Sequence, residues 1–299
     1  AARYDDHLLV MERVHEPLGE ARDDYDVFAA LAQRLGCGEV FTEGRTSAQW
    51  VEHLYETWRA GPAARAGIPA PTWADFRAQG QLVLPAEEPV VLLASFRADP
   101  GRFPLRTPSG RIEVSSAVIA SFGYDDCPGH PVWREPEDWL GSPLAADFPL
   151  HLLANNPATR LHSQLDHGAT SAASKVAGRE PLRMHPEDAA ARGLADGDVV
   201  VVRSRRGSCL AGLVVSDVLR PRVVQMSTGA WFDPVAGEAA GVTCGHGNVN
   251  VLTCDVGTSR LGQGCTGQHV LVEVERHTGP LPPVTAHEAP VAAAVATGP

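Results

Sequence analysis

The sequence predicts an α/β N-terminal portion followed by a β-barrel domain. Three observations carry this. Residues 1–95 hold apolar residues at helical spacing behind capping signals. Residues 123–136 are dense in Pro, Gly and acids, which suits an extended crossing loop. From Pro149 onward, short apolar runs alternate with turn signals and a single short helix. The expected division is 1–147, then a barrel over 148–278, then an extended or disordered tail over 279–299 rich in Pro, Ala and Thr.

The elements follow in order. Arg22–Leu35 places Phe28, Leu31 and Leu35 on one helical face, with acids early and Gly36 as a stop. Thr46 and Gln49 form a capping box ahead of Trp50, Val51, Leu54, Tyr55 and Trp58. Thr72 opens another short helix, which Gly80 closes. Core packing is the expected role of these apolar stripes. Leu82–Leu84 and Val90–Ala94 suit buried strands, and Thr107–Ser115 reads as a turn feeding a strand.

In the barrel, strands are expected at Leu150–Ala154, Val199–Arg203, Ser208–Val215, Val223–Met226 and Val270–Val274. The interposed helix begins at His185. Pro186 sits at the tolerated first position, Glu187 and Asp188 favour the helix start, and Gly193 ends it.

Composition narrows the function. The 299 residues are 44% hydrophobic and 20% charged, which excludes wholesale disorder. A net charge of −11 argues against nucleic-acid or anionic-membrane partners. Lys175 is the single lysine, and SAASKVAG around it is no phosphate-binding loop. No apolar run approaches the ~18 residues that span a bilayer. The chain starts at Ala1 and reads there as the middle of something longer, so bacterial cytoplasm and periplasm both stay open. None of the six cysteines forms C-x-x-C. Cys127-x-x-His130 and Cys244-x-His246 each stand alone, so neither a structural zinc nor a disulfide is expected.

Three segments could bind a ligand. Gly257–Gln268 contains G-x-G-x-x-G at Gly262, Gly264 and Gly267, but the following QHVLVEVE alternates like a strand. That context argues against a nicotinamide site and leaves a Gly-rich loop with hydroxyls at Thr258, Ser259 and Thr266, or a plain surface turn. Arg160-Leu-His162-Ser163-Gln164 follows a strand end. Arg160 offers a fork for phosphate, and no G-x-S-x-G elbow surrounds Ser163 to make it a nucleophile. Asn248-Val-Asn250-Val-Leu252 places its amides on one face if extended, able to read a heterocycle edge. Turn chemistry explains it equally well.

Together these stretches resemble molybdopterin oxidoreductases of the dimethyl-sulfoxide, trimethylamine-N-oxide and biotin-sulfoxide reductase group, in their C-terminal part. The resemblance lies in EARDDYDVFAALAQRLG (20–36), FTEGRTSAQW (41–50), TPSGRIEVSSAVIASFGYDDCPGHPVW (107–133), RLHSQLD (160–166), HPEDAAARGLADGDVV (185–200) and GNVNVLTCDVGTSRLGQGCTGQ (247–268). GNVNVLT and Asn156-Pro157 point toward the biotin-sulfoxide branch.

The resemblance implies a double-psi-type β-barrel that embraces a bis-molybdopterin guanine dinucleotide carrying molybdenum. It implies a cofactor site lined by Ala154, Asn155, Asn156 and Pro157, by Arg160, His162, Ser163 and Gln164, by Asn250 and Val251, and by Gln268. Some members carry His at the position of Asn156. It also implies a small S-oxide or N-oxide substrate, an electron donor, and an upstream region of the same enzyme that supplies the molybdenum ligand. No serine here is assigned as that ligand, and no catalytic residue is expected within the chain, which alone should be inactive. The competing expectation is a non-catalytic binding or structural β-barrel module.

Overall fold

The computed structural model describes residues 6–86, 89–235 and 243–289. The chain splits into two compact units, Ala1–Pro104 and Leu105–Pro299. The division expected at 147/148 falls inside the second unit, just ahead of the first barrel strand.

The first unit holds β1 (His7–Leu9), α1 (Asp24–Arg34), α2 (Gly38–Thr42), α3 (Ser47–Trp58), α4 (Trp73–Gln79), β2 (Gln81–Val83) and α5 (Ala94–Ala98). Local chemistry sets their ends. Thr46 Oγ1 accepts from the Gln49 amide at 3.3 Å, while Gln49 Oε1 accepts from the Thr46 amide at 2.9 Å, closing the capping box. Thr72 Oγ1 caps α4 by accepting from the Asp75 amide, and Gly80 ends the helix at φ 77°. The core of this unit is aromatic: Tyr55 and Phe76 are buried and stack at 4.7 Å.

Three expectations fail here and in the segment that follows. Phe28, Leu31 and Leu35 are 55%, 48% and 72% exposed, and Val51 and Leu54 are exposed too. The apolar periodicity is real, but no described element of this unit covers those faces. Val90–Ala94 is a turn leading into α5, with Val90, Val91 and Leu92 exposed rather than a buried strand. Residues 111–115 form no strand. Thr107 Oγ1 donates to the Arg111 carbonyl, and the Ser109 amide donates to Glu113 Oε1, so the turn closes on itself.

The second unit contains α6 (Ala117–Ala120), β3 (Leu150–Asn155), α7 (Ala169–Ala172), β4 (Pro181–Met184), α8 (Pro186–Ala191), β5 (Val199–Arg203), β6 (Ser208–Val215), β7 (Val223–Ser227) and β8 (His269–Arg276). The six strands β3 to β8 close into a barrel in the order β3-β7-β4-β6-β5-β8. The β3–β7 and β4–β6 pairs are parallel, and the other four are antiparallel. This is the predicted barrel.

Alternation fills its interior. In β3, Leu150, Leu152 and Ala154 point into the core, between exposed or half-buried His151, Leu153 and Asn155. Leu182, Met184, Val200, Val202, Leu213, Val224, Met226 and Val272 complete the core. Each such side chain contributes roughly 1.5–3 kcal/mol by burial. Strand β6 is buried on both faces for most of its length, because Leu210 packs outward under Val199, Val201 and Val235. Gly212 is required there, since a Cβ would lie 2.3 Å from that of Val176.

Candidate functional site

Three loops meet at one end of the barrel around a cavity of about 450 Å³. The loop after β3 supplies His162 and Ser163. The loop after β7 supplies Thr228, Gly229, Ala230, Trp231 and Phe232. A 3-10 turn at Val249–Val251 presents Asn248 and Asn250. That turn corrects the extended arrangement expected for the two asparagines. Asn248 Oδ1 accepts from the Asn250 amide at 2.9 Å, and the local bond curls the backbone.

The two main loops cross closely. His162 has φ 51°, and Gly229 has φ 90°. A Cβ on residue 229 would sit 1.9 Å from the His162 carbonyl oxygen, so only glycine permits the crossing.

Arg160 ties the loops together from behind. Its Nη2 donates to the Thr228 carbonyl at 2.9 Å, and its Nε to the His162 carbonyl at 3.1 Å. Its side chain has no exposed surface, and it pairs with Glu180 at 3.1 Å and Asp166 at 3.3 Å. The fork expected to meet phosphate is thus spent on the protein itself. Lys175 completes the network, 2.7 Å from Asp166 and 2.5 Å from Glu180. Two buried carboxylates face two buried cations, so the network is neutral as a whole.

Asp166 also holds Trp231. Its Oδ2 accepts from the Trp231 amide at 3.0 Å, while Trp231 Nε1 donates to the Ser163 carbonyl at 2.8 Å. Burial works against ionisation of Asp166, but hydrogen bonds from Lys175, Trp231 and His287 hold its carboxyl well below the usual range. His246 is buried, and its Nδ1 lies 3.1 Å from the Trp231 carbonyl. A proton on Nδ1 satisfies that contact. Burial, reinforced by the Lys175 charge, pushes the His246 pKa down and keeps the ring neutral.

Asp166, His246 and His287 bring ligand-type atoms within 4.8 Å of one another. The charges argue against a dication there. Oδ1 of Asp166 already faces an ammonium and a guanidinium, and Oδ2 already faces two N–H groups.

The other expected site residues scatter. Ala154 points into the barrel core, and Val251 packs against it. The Asn155 side chain accepts from Gln225 and Ser227 at the end of β3. Pro157 lines a separate cavity of about 110 Å³. Asn156, Gln164 and Gln268 are exposed and line none of these cavities, although the Gln268 carbonyl accepts from the Ala154 amide. His162, Ser163 and Asn250 are therefore the three that converge.

The Gly-rich segment folds on itself. Thr258 Oγ1 accepts from the Gly264 amide, Ser259 Oγ from the Gly262 amide, and Thr266 donates to the Val256 carbonyl. Its hydroxyls stabilise the loop rather than facing a ligand. A wider cavity of about 580 Å³ lies among residues 107–134. Sequence reasoning missed Gly229, Trp231 and Phe232. The available signal was a strand ending in Thr-Gly followed by adjacent aromatics.

The lining fits one part of a dinucleotide. Amides of Asn248 and Asn250 and the Ser163 hydroxyl supply uncharged donors and acceptors, and two half-exposed aromatics supply apolar faces. This suits a heterocyclic base. Among the described residues, no Lys or Arg side chain lines the cavity for a pyrophosphate.

Residues 150–271 match the family described as "Molydopterin dinucleotide binding domain". The chain is 46% identical to "Dimethyl sulfoxide/trimethylamine N-oxide reductase" of Rhodobacter capsulatus over 96% of its own length and 35% of the relative's. It is 43% identical to "Biotin sulfoxide reductase" of Cereibacter sphaeroides over 92% and 36%. These identities do not favour the biotin-sulfoxide branch. "Trimethylamine-N-oxide reductase" of Haemophilus influenzae is 41% identical over 94% and 34%. The chain thus spans about a third of the length of these relatives. "Acetylene Hydratase from Pelobacter acetylenicus" shares the fold, with a TM-score of 0.63 at 20% identity over 91% of this chain and 35% of that one. Residues 150–271 match the molydopterin dinucleotide binding domain, and nearly the whole chain is similar to about a third of the dimethyl sulfoxide, trimethylamine N-oxide and biotin sulfoxide reductases.

Proposed function

We propose that residues 148–278 bind one end of a bis-molybdopterin guanine dinucleotide carrying molybdenum, within an oxidoreductase that reduces small S-oxides or N-oxides. The domain match supports the cofactor class, and the reductase relatives support the reaction class. The carrying observation is the barrel-end cavity, whose uncharged amides and aromatic faces suit the guanine heterocycle.

The bound cofactor supplies the oxygen-atom transfer chemistry. This chain's residues bind and orient. Asn248, Asn250 and Ser163 offer hydrogen bonds to base edges, and Trp231 and Phe232 offer surface for the ring. Arg160 keeps the cavity walls together without touching the ligand. The exposed residues Asn156, Gln164 and Gln268 stand as outer contacts to the rest of the dinucleotide.

Equilibrium binding of GDP and ADP to the chain tests the reading. GDP should bind more tightly than ADP, and Asn250→Ala should erase the difference. Equal binding of both nucleotides by the native chain, or none, defeats it. A purely structural barrel module would show no such preference.

A further inference from the structure

Trp231 is contacted by Asp166, Ser163 and His167 of the loop after β3 and by His287, from a segment distant in sequence. Residues 280–289 contain no helix or strand, yet they are fastened to buried groups. Arg179 Nη2 donates to the Pro282 carbonyl at 2.7 Å. The Thr285 amide and hydroxyl donate to the two oxygens of Asp233 at 3.0 and 2.6 Å. Arg179 and Asp233 are both buried. His287 then reaches Asp166, with Nε2 3.1 Å from Oδ2.

That oxygen is the same one that accepts from the Trp231 amide. The carboxylate can only accept, so His287 donates from Nε2. The His287 ring also stands edge-on to Trp231 at 5.3 Å and to His246 at 4.9 Å, and His167 packs against Trp231 at 5.4 Å. One histidine therefore touches both the ring that lines the cavity and the carboxylate that anchors its backbone.

We propose that the segment 280–289 is a strap that sets the shape of the barrel-end cavity, and that His287 is a positioning residue acting through Trp231. The role in ligand binding rests on the reading of that cavity as a nucleotide site. The strap itself does not. Without His287, Asp166 Oδ2 keeps one donor fewer, and the edge of Trp231 loses a packing partner. The Trp231 ring then samples orientations that the ligand must reselect, which lowers apparent affinity.

The test uses His287→Ala and Thr285→Val in the full chain, with Glu288→Ala, at an exposed position of the same segment, as a control. Hydrogen–deuterium exchange without ligand is read over residues 228–234, and GDP affinity and melting temperature are measured alongside. The expected result is faster exchange over 228–234 in both strap variants and none in the control. GDP binding should weaken about tenfold in His287→Ala, the loss of one hydrogen bond to a charged group, and His287→Gln should recover part of it.

Unchanged exchange in both strap variants overturns the strap. Faster exchange with native GDP affinity overturns the positioning role. A fall in melting temperature that alone accounts for the weaker binding does the same. Failure of the native chain to bind GDP instead refutes the nucleotide reading, while the exchange rates still decide the strap.

Discussion

Arg160 Nη2 donates to the Thr228 carbonyl at 2.9 Å, joining two loops that lie 68 residues apart in sequence. The same guanidinium reaches His162 and pairs with Glu180 and Asp166. It is the strut between the cavity walls. Arg160→Ala leaves two buried carboxylates sharing one cation, Lys175. Breaking a buried pair in this way costs on the order of 3–5 kcal/mol. Urea unfolding should register that loss, and cofactor retention in the parent enzyme should fall with it. Arg206→Ala, in the exposed hairpin turn between β5 and β6, should stay within about 0.5 kcal/mol of native.

Gly229 makes a second, steric test. Gly229→Ala places a methyl 1.9 Å from the His162 carbonyl oxygen at φ 90°. Gly193→Ala is also at positive φ, but nothing lies within 4 Å. The second substitution should cost only the left-handed backbone penalty of about 1–2 kcal/mol. The first should cost clearly more and abolish nucleotide binding. Equal destabilisation of the two would remove the loop crossing from the account.

Much of the fold was legible because its signals are local. The capping box, the His185-Pro186 helix start and the alternation in β3 each sit within one short segment. The site was legible only in part. Arg160 looks like a free phosphate ligand until Glu180 and Thr228 are brought beside it, and nothing near residue 160 encodes those partners. Nothing local in the sequence fixes the half-exposure of Trp231 and Phe232, since it depends on which loops meet above the barrel. The stripe of Phe28, Leu31 and Leu35 misled in the opposite sense. Periodicity states which residues share a face, not whether anything covers it.

That last point predicts unequal core mutants. Phe76 is 3% exposed and stacks on Tyr55, so Phe76→Ala should cost about 3–5 kcal/mol. Leu31→Ser, on the uncovered face of α1, should change the stability of this chain by no more than about 0.5 kcal/mol. Thermal unfolding of the two variants checks the order.

Acid should weaken the barrel in two steps. Burial lowers the pKa of His246 below its ordinary 6.5, so the unfolded chain binds the proton first as the pH falls. Stability conferred by the neutral ring is complete above 6.5 and is lost as the pH drops toward the folded pKa, by up to about 1.4 kcal/mol per pH unit for one proton. His151, also lowered by burial and by His269, adds to this slope. Asp166, held below 3.8, contributes stability that is complete above that value and is lost only in stronger acid. His246→Gln should flatten the first step and leave the second. A native chain equally stable at pH 7 and pH 5 would contradict the buried neutral imidazoles.

The most direct measurement for the central claim is hydrogen–deuterium exchange of the parent enzyme with and without its molybdenum cofactor. Cofactor binding should slow exchange in 160–166, 228–232 and 248–251, the three loops that wall the 450 Å³ cavity. Protection confined to residues 107–134, around the wider cavity, with those three loops unchanged, would contradict it.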